Sequence, residues 1–339
     1  IKMKELNNPF GENFKEIYKR ARVGGDELLL NKSILTLPFF SGFTGNFKLD
    51  EIQLLNTGYK SFEYEGESMN LELDYSFFKY IMSVAQKKNC REVSIDFVEM
   101  LRDLDKTLNN YKHYRNALVS HLNKGLKSKF KYVSSEGLYV GDSFYSKISI
   151  EPDNPLFSVE ISDTLLRVIT SEFNHKTSYA GYDGVNGGAA TRLVDALISL
   201  SYNNECEVRL ETIFSLLGLQ GKKDSKKRSL NRLIDHLKRV DFIIKCEDIK
   251  KKNSSRMDYK RFVINKKFSK NKLIDSVIHS EPVKSIGFSD SDNDFVDDNL
   301  DDVFSFTNKV VEKVVDPDND ISGFDKELTS EEVDSWMNN

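Results

Sequence analysis

One stretch of this chain occurs twice. Sliding the sequence by 115 residues superimposes Asn89–Leu122 on Asn204–Leu237 without a gap, and ten of the 34 paired positions are identical. The identities are Asn89/Asn204, Glu92/Glu207, Val93/Val208, Leu101/Leu216, Leu104/Leu219, Lys112/Lys227, Asn116/Asn231, Leu118/Leu233, His121/His236 and Leu122/Leu237. Unrelated stretches of this length would share roughly two or three. Apolar positions keep step as well, as in Ile95/Leu210, Val98/Ile213 and Val119/Ile234. A duplication constrains the fold strongly, because whatever unit one copy builds the other must build too.

The order within each copy is the same: a helix, a short strand-like "EV", a second helix, a polar linker, and a third helix ending in His-Leu. Two β-like runs follow. In the first copy they are "FKYVSSEGLYV" and "YSKISIE". In the second they lie within "DFIIKCEDIKKKNSSRMDYKRFVINKKF". This order predicts a winged helix, with the second and third helices as a helix-turn-helix and the β-hairpin as the wing. The expected fold class is therefore α+β: two tandem winged-helix domains with a disordered acidic C-terminal tail. A length of 339 residues fits two or three domains. The composition divides the chain into four parts. Residues 1–70 form an N-terminal extension, a mobile or helical lead-in followed by short strands. Residues 71–160 form the first winged helix and 161–275 the second, and 276–339 the acidic tail. Between the copies, Gly181, Gly184, Gly187 and Gly188 predict a flexible bend before a helix from Ala189.

The net charge of −4 averages two unlike regions. From Glu281 to Asn339 there are 17 acidic residues against Lys284, Lys309, Lys313 and Lys326, a net of −13, which leaves +9 on residues 1–280. Residues 221–272 alone hold 19 Lys and Arg against 6 Asp and Glu. A basic body with an acidic extension points to nucleic acid. Such charge on one helix is ordinarily just a solvated face. Here it coincides with the third helix and the wing of a duplicated unit, and that favours DNA.

In the second copy the third helix is expected over "DSKKRSLNRLIDHLKR". Leu230, Leu233, Ile234 and Leu237 form its core stripe, and Lys226, Lys227, Arg228, Asn231, Arg232, Lys238 and Arg239 are left for the exposed side. Lys222 and Lys223 precede it. In the first copy Leu118 and Leu122 face in, while Lys112, His113, Arg115 and Asn116 face out. Lysines neutralise phosphates without reading sequence. Arg and Asn reach guanine and adenine edges bidentately, each good pair giving about 1–3 kcal/mol of discrimination. Arg228, Asn231 and Arg232 are the expected base-readers, with Arg115 and Asn116 as weaker counterparts. Lys250, Lys251, Lys252 and Arg256 surround the wing turn, suited to phosphates or the minor groove. His121 and His236 each precede the last apolar residue of a helix and are expected to pack or cap.

Enzymatic signatures are thin. The five histidines are never closer than eight positions, so the metal-holding histidine pair of a rolling-circle nickase is missing. "GYDGVNGGAATR" lacks the GK[ST] ending of a P-loop, and no GxGxxG occurs. The acidic cluster Asp290–Asp302 does not match calcium-loop spacing. The chain is read as a non-enzyme with no cofactor and no metal. Cys90, Cys206 and Cys246 form no CxxC pair. The longest apolar stretch, Leu28 to Phe43, is too short for a membrane helix and contains Lys32, and no leader is recognisable. The expected location is a reducing cytoplasm, away from membranes.

With the duplicated unit in place, the chain resembles plasmid replication initiator (Rep) proteins of the tandem winged-helix type, and is similar to IncQ RepC and TrfA-like initiators. The resemblance covers about residues 60–268. It is carried by "YEGESMNLELDYSFFKYIMSVAQ" with its L-x-x-D start of the first helix, and by "YRNALVSHLNKGL" and "KRSLNRLIDHLKRVDFI" before the two wings. It implies a protein that binds directly repeated iterons in double-stranded origin DNA, promotes opening of the origin and recruits host replication proteins such as the replicative helicase. Self-association as a dimer is a further partner expectation, with residues 1–60 either docking on the first winged helix or serving as a dimer arm. The glycine-rich insertion and the long acidic tail depart from the family's pattern. The tail, with Phe295, Val303, Phe304, Phe306, Phe324 and Trp336, fits a partner peptide, a DNA mimic covering the basic face, or a merely solubilising segment. A winged-helix transcriptional repressor or partition-type DNA-binding protein is the alternative for the whole chain.

Overall fold

The computed structural model describes residues 9–267, apart from 42–45, 55–58, 68, 135–136, 138, 152–153, 171–173, 251–257 and 266. The acidic tail, and with it the expectation of disorder there, lies outside the described residues.

Both copies fold to one plan. In the first, α4 (Leu73–Lys88) leads through β4 (Glu92–Asp96) into α5 (Phe97–Asp103) and α6 (Tyr111–Lys127), and β7 (Tyr145–Ile150) and β8 (Leu156–Ile161) complete it. In the second, α8 (Gly188–Leu200), β10 (Glu205–Arg209), α9 (Leu210–Leu216), α10 (Lys223–Arg239), β11 (Ile243–Ile249) and β12 (Tyr259–Ile264) follow in the same order. The sheets match, β4-β8-β7 and β10-β12-β11, antiparallel with the last strand in the middle. That strand order, with a helix-turn-helix between the first and second strands, is the winged helix.

Local chemistry sets the element ends. Asn70 Oδ1 accepts from the Glu72, Leu73 and Asp74 N–H groups and starts α4. Asn89, left-handed at φ 49°, ends it. Asp96 caps α5 through the Val98 and Glu99 N–H groups.

Equivalent positions are not those of the ungapped slide. Phe97 and Leu210 each donate a backbone N–H to the residue preceding the last strand of their sheet, Pro155 and Asp258 (2.9 and 2.8 Å). Asp105 and Gly218 both turn left-handed, at φ 53° and 60°. These pairs lie 113 apart. On the third helices the buried pairs are Leu118/Leu230 and Leu122/Ile234, which lie 112 apart. An amphipathic helix matches itself when shifted by about one turn, so an offset of 115 still aligns stripes although it misplaces residues.

The first wing departs from the expectation. "FKYVSSEGLYV" and "YSKISIE" do not pair with each other. β5 (Lys129–Ser134) and β6 (Tyr139–Asp142) form their own hairpin, which joins β3 (Tyr59–Glu65) and β2 (Phe47–Lys48) in a four-stranded sheet, and the wing is β7–β8. The described part of residues 1–70 is not an appendage either. α1 (Gly11–Arg20) buries Phe14, and β1 (Glu27–Asn31) pairs antiparallel with β9 (Asn174–Ser178). Gln86 of α4 both donates to and accepts from the Leu29 backbone (2.7 and 2.9 Å). α2 (Lys32–Thr36) and the 3-10 turn Pro38–Phe40 carry Phe39 edge-on into Phe62, Phe130 and Phe144 at 5.1–5.4 Å between centroids. Two hydrophobic cores result. One runs from Phe10 to Tyr179 and includes α7 (Asp163–Thr170); the other runs from Val185 to Ile264. The division between cores therefore falls near 180 and not at 160/161, because β9 needs β1 as its partner. α3 (Glu51–Leu54) adds a further link: the Gln53 carbonyl accepts from Thr212 Oγ1 of α9 at 3.1 Å.

Candidate nucleic-acid interface

The third helix of the second winged helix, α10, presents two chemically distinct sides. Leu230, Ile234 and Leu237 are buried, while Leu233 is half-buried beside them. At 100° per residue, the opposite side carries Ser225, Arg228, Arg232, Asp235 and Arg239, flanked by Asn231 and Lys238, and all of these except Ser225 and Asp235 were expected to face DNA. All seven are exposed. Among the described residues Arg228, Arg232, Lys238 and Arg239 form no ion pair; Arg239 donates only to the Asp235 carbonyl, at 3.4 Å. Asp235, an exposed carboxylate, lies in the same row.

Not every predicted cation is free. Lys223 pairs with Asp258 at 2.8 Å and ties the start of α10 to β12. Lys226 is half-buried with its ammonium 5.6 Å from the Phe214 ring centroid, and Lys227 is half-buried too. Lys222 and Lys250 are exposed. Lys251, Lys252 and Arg256 lie outside the described residues. The strands of the wing are largely neutralised: Lys245 pairs with Glu247 (2.6 Å), Lys260 with Asp248 (2.9 Å) and Arg261 with Glu205 (2.5 Å). The unpaired positive charge described in this unit thus concentrates on the helix.

The equivalent helix of the first unit, α6, differs. Lys112, His113 and Asn116 are exposed as predicted, along with Ser120. Arg115 is not. It is 7% exposed, and Nη2 donates to the Glu151 and Asn154 carbonyls, both at 2.8 Å, with the guanidinium over Phe97. Three positions before Leu118, Arg115 falls on the flank of the core stripe, where a loop needs donors for two inward carbonyls. It therefore shapes the loop leading into β8 and does not contact bases. The outward side of α6 carries exposed Lys112 and Lys127 and no acidic residue, against Arg228, Arg232, Lys238 and Arg239 with Asp235 on α10, so α10 holds the denser positive charge.

His121 anchors α6 from below. Its Nε2 lies 2.8 Å from the Tyr145 hydroxyl and its Nδ1 3.5 Å from Asp74, and Lys124 reaches Asp74 at 3.1 Å. Burial pushes the Asp74 carboxyl up, but His121, the Asn70 N–H and Lys124 outweigh it and hold the carboxyl below its ordinary value. His236, matched to His121 by the slide, is half-buried, and its Nε2 accepts from the Asn186 N–H at 3.2 Å. Asp74 and Tyr145 could not be assigned as partners from sequence, since they lie 47 residues upstream and 24 downstream of His121.

Among the described residues no cluster of His, Cys, Asp and Glu can hold a metal, and no helix is long and apolar enough to cross a membrane. No protein-family model and no curated protein matches the chain. Among solved structures it is similar to domains 2 and 3 of RctB, with a TM-score of 0.45 and 11% identity over 69% of this chain and 97% of that one. It is similar also to the Pi initiator protein in complex with iteron DNA, with a TM-score of 0.41 and 15% identity over 57% of this chain and 95% of that one. The winged-helix assignment stands on the strand order and helix placement given above.

Proposed function

We propose that this protein is a sequence-specific double-stranded DNA-binding replication initiator that recognises directly repeated origin sites through two winged helices. The observation that carries the reading is the row Arg228, Arg232 and Arg239, exposed and without an ion pair among the described residues, on the third helix of a winged helix whose other side is packed in the core. A helix of this kind fits the major groove. Arg228, Asn231 and Arg232 face base edges, while Lys222 and Lys238 neutralise phosphates. The N-cap residue of α10, Lys222, makes no side-chain cap hydrogen bond among the described residues, and the positive end of the helix dipole adds to the attraction for a phosphate. α6 supplies the second, weaker contact through Lys112, His113 and Asn116, in a groove about one turn away. Origin opening, recruitment of a replicative helicase and copy control belong to the proposal through the resemblance of the sequence to Rep initiators, and dimerisation and a cytoplasmic location are proposed beside them. The reading contains no catalytic step, and a strand-cleavage assay with Mg²⁺ on supercoiled DNA tests that part.

Footprinting on DNA flanking the gene tests the whole. Protection repeating at about 20 bp, two helical turns, is the expected result. Protection of a lone inverted repeat at a promoter would assign a repressor instead, and no specific protection would overturn DNA recognition altogether.

A further inference from the structure

A buried polar cluster joins the two winged helices, and neither hydrophobic core accounts for it. The Asp195 carboxylate on α8, in the second unit, accepts from Tyr75 Oη of α4 at 2.7 Å and from Thr177 Oγ1 of β9 at 2.5 Å. It also accepts from the Tyr182 hydroxyl, and Lys79 Nζ of α4 stands 3.3 Å away. Lys79 in turn donates to the Ser178 carbonyl at 2.5 Å and lies 4.7 Å from the Tyr75 ring centroid. One turn earlier on α8, the fully buried Arg192 donates through Nη2 to the Ile34 and Leu37 carbonyls (2.8 and 2.7 Å) at the end of α2, with its guanidinium 4.8 Å from the Tyr75 ring centroid. A single helix of the second unit thus sends two opposite charges into the first.

Burying three formal charges is a poor route to stability, since apolar side chains of similar volume do as well or better. What directed bonds add is a single geometry. An apolar seam can slide and repack, whereas a carboxylate held by donors from α4, β9 and the connecting segment has one position. Gly188 and Gln53 reinforce it. A Cβ on Gly188 would stand 2.0 Å from the Leu71 carbonyl oxygen, and Gln53 Nε2 donates to Ser215 Oγ at 2.9 Å. All three charged groups of the hub are at most 1% exposed, so none of them touches DNA.

We infer that Asp195, with Lys79 and Arg192, is a positioning hub that fixes the distance and phase between α6 and α10, so that the protein selects two-part DNA sites by the spacing of their half-sites. The inference rests on the DNA-binding reading above and adds what sets its geometry. The test uses the full chain and a footprinted site whose half-sites are moved apart in single base-pair steps. For the wild type, half a turn of added spacing is expected to weaken binding at least about tenfold, because one module can no longer engage. Asp195→Asn is expected to bind the native spacing about tenfold more weakly and to shrink that spacing penalty to under about threefold, with affinity for an isolated α10 half-site unchanged. An unchanged spacing penalty in folded Asp195→Asn would overturn the hub. Should that variant fail to fold, Tyr182→Phe removes one donor to the carboxylate and must shift the penalty in the same direction. A second measurement needs no DNA. Spin labels at Ser120→Cys and Asp235→Cys, with Cys90 and Cys246 replaced by Ser, should give one narrow distance that broadens in Asp195→Asn. Failure of the wild type to bind any duplex would sink the DNA reading, while an equally narrow distance in the variant would sink the hub alone.

Discussion

Arg115 donates to two backbone carbonyls inside the protein, whereas Arg228 forms no ion pair with any described residue. The two truncations should therefore separate. Arg115→Ala is expected to cost about 2–4 kcal/mol of stability, since it strips two inward carbonyls of a charged donor. Arg228→Ala should leave urea unfolding within about 0.5 kcal/mol and weaken specific DNA binding by about 1–3 kcal/mol, with relaxed preference at one base pair. Urea titrations and fluorescence anisotropy on matched and mismatched sites read both. A third side chain carries a pH signature. His175 on β9 is buried, and burial, with the Lys32 charge adding to it, drives its pKa from 6.5 down to about 4. The unfolded chain binds this proton more readily than the folded one, so stability is full above pH 6.5 and is lost as pH falls toward about 4. The loss is roughly 3 kcal/mol in size. Comparing the pH dependence of unfolding in the wild type and in His175→Leu isolates it. Parallel curves for the two proteins would show that the imidazole is not held neutral.

At the scale of elements, the start of α8 is the most sharply constrained join. Gly188 sits against the Leu71 carbonyl and Glu72 backbone at the beginning of α4, leaving no room for a methyl group. Gly188→Ala is expected to push α8 off α4 and cost about 3 kcal/mol or more, a value set by backbone atoms that cannot move aside. Limited proteolysis between the two units should accelerate in parallel. Resistance equal to the wild type would mean that α8 absorbs the methyl group by shifting. From the sequence, four glycines suggested slack at this point, because a glycine kept for close approach and one kept for freedom look alike in a single chain. The same limit governs the rest of the fold. α10 was legible almost to its ends, since Leu230, Ile234 and Leu237 mark a helix by local periodicity. The first wing was not, because β5 finds its partner in β3, some seventy residues earlier, and strand pairing over that distance leaves no local trace. Of the candidate interface, the exposed row on α10 followed from periodicity alone. The fate of Arg115 depended on a loop 36 residues away, and the pairing of Lys223 on one 35 residues away.

For the molecule as a whole, two hydrophobic cores raise the question of whether the chain folds as two bodies or one. The cores divide near residue 180, and the described residues nevertheless belong to one compact unit. What bridges them is largely polar and buried: the Asp195 hub, the Arg192 contacts with the end of α2, and the Gln53 contacts with α9. Unfolding the second winged helix alone would strip Lys79 of its counter-charge and the Ile34 and Leu37 carbonyls of their donor. Each uncompensated group costs about 1–3 kcal/mol where water cannot replace its partner at once. Partial unfolding is therefore disfavoured against the all-or-none route. Calorimetry of the wild type should show one transition for the two winged helices together, with calorimetric and van't Hoff enthalpies in a ratio near one. Asp195→Asn should lower that ratio or split the peak, because it weakens the bridge while leaving each core's packing in place. Two resolved peaks in the wild type would show that the bridge does not couple the cores. A single peak unchanged in shape in Asp195→Asn would move the coupling to the Arg192 and Gln53 contacts.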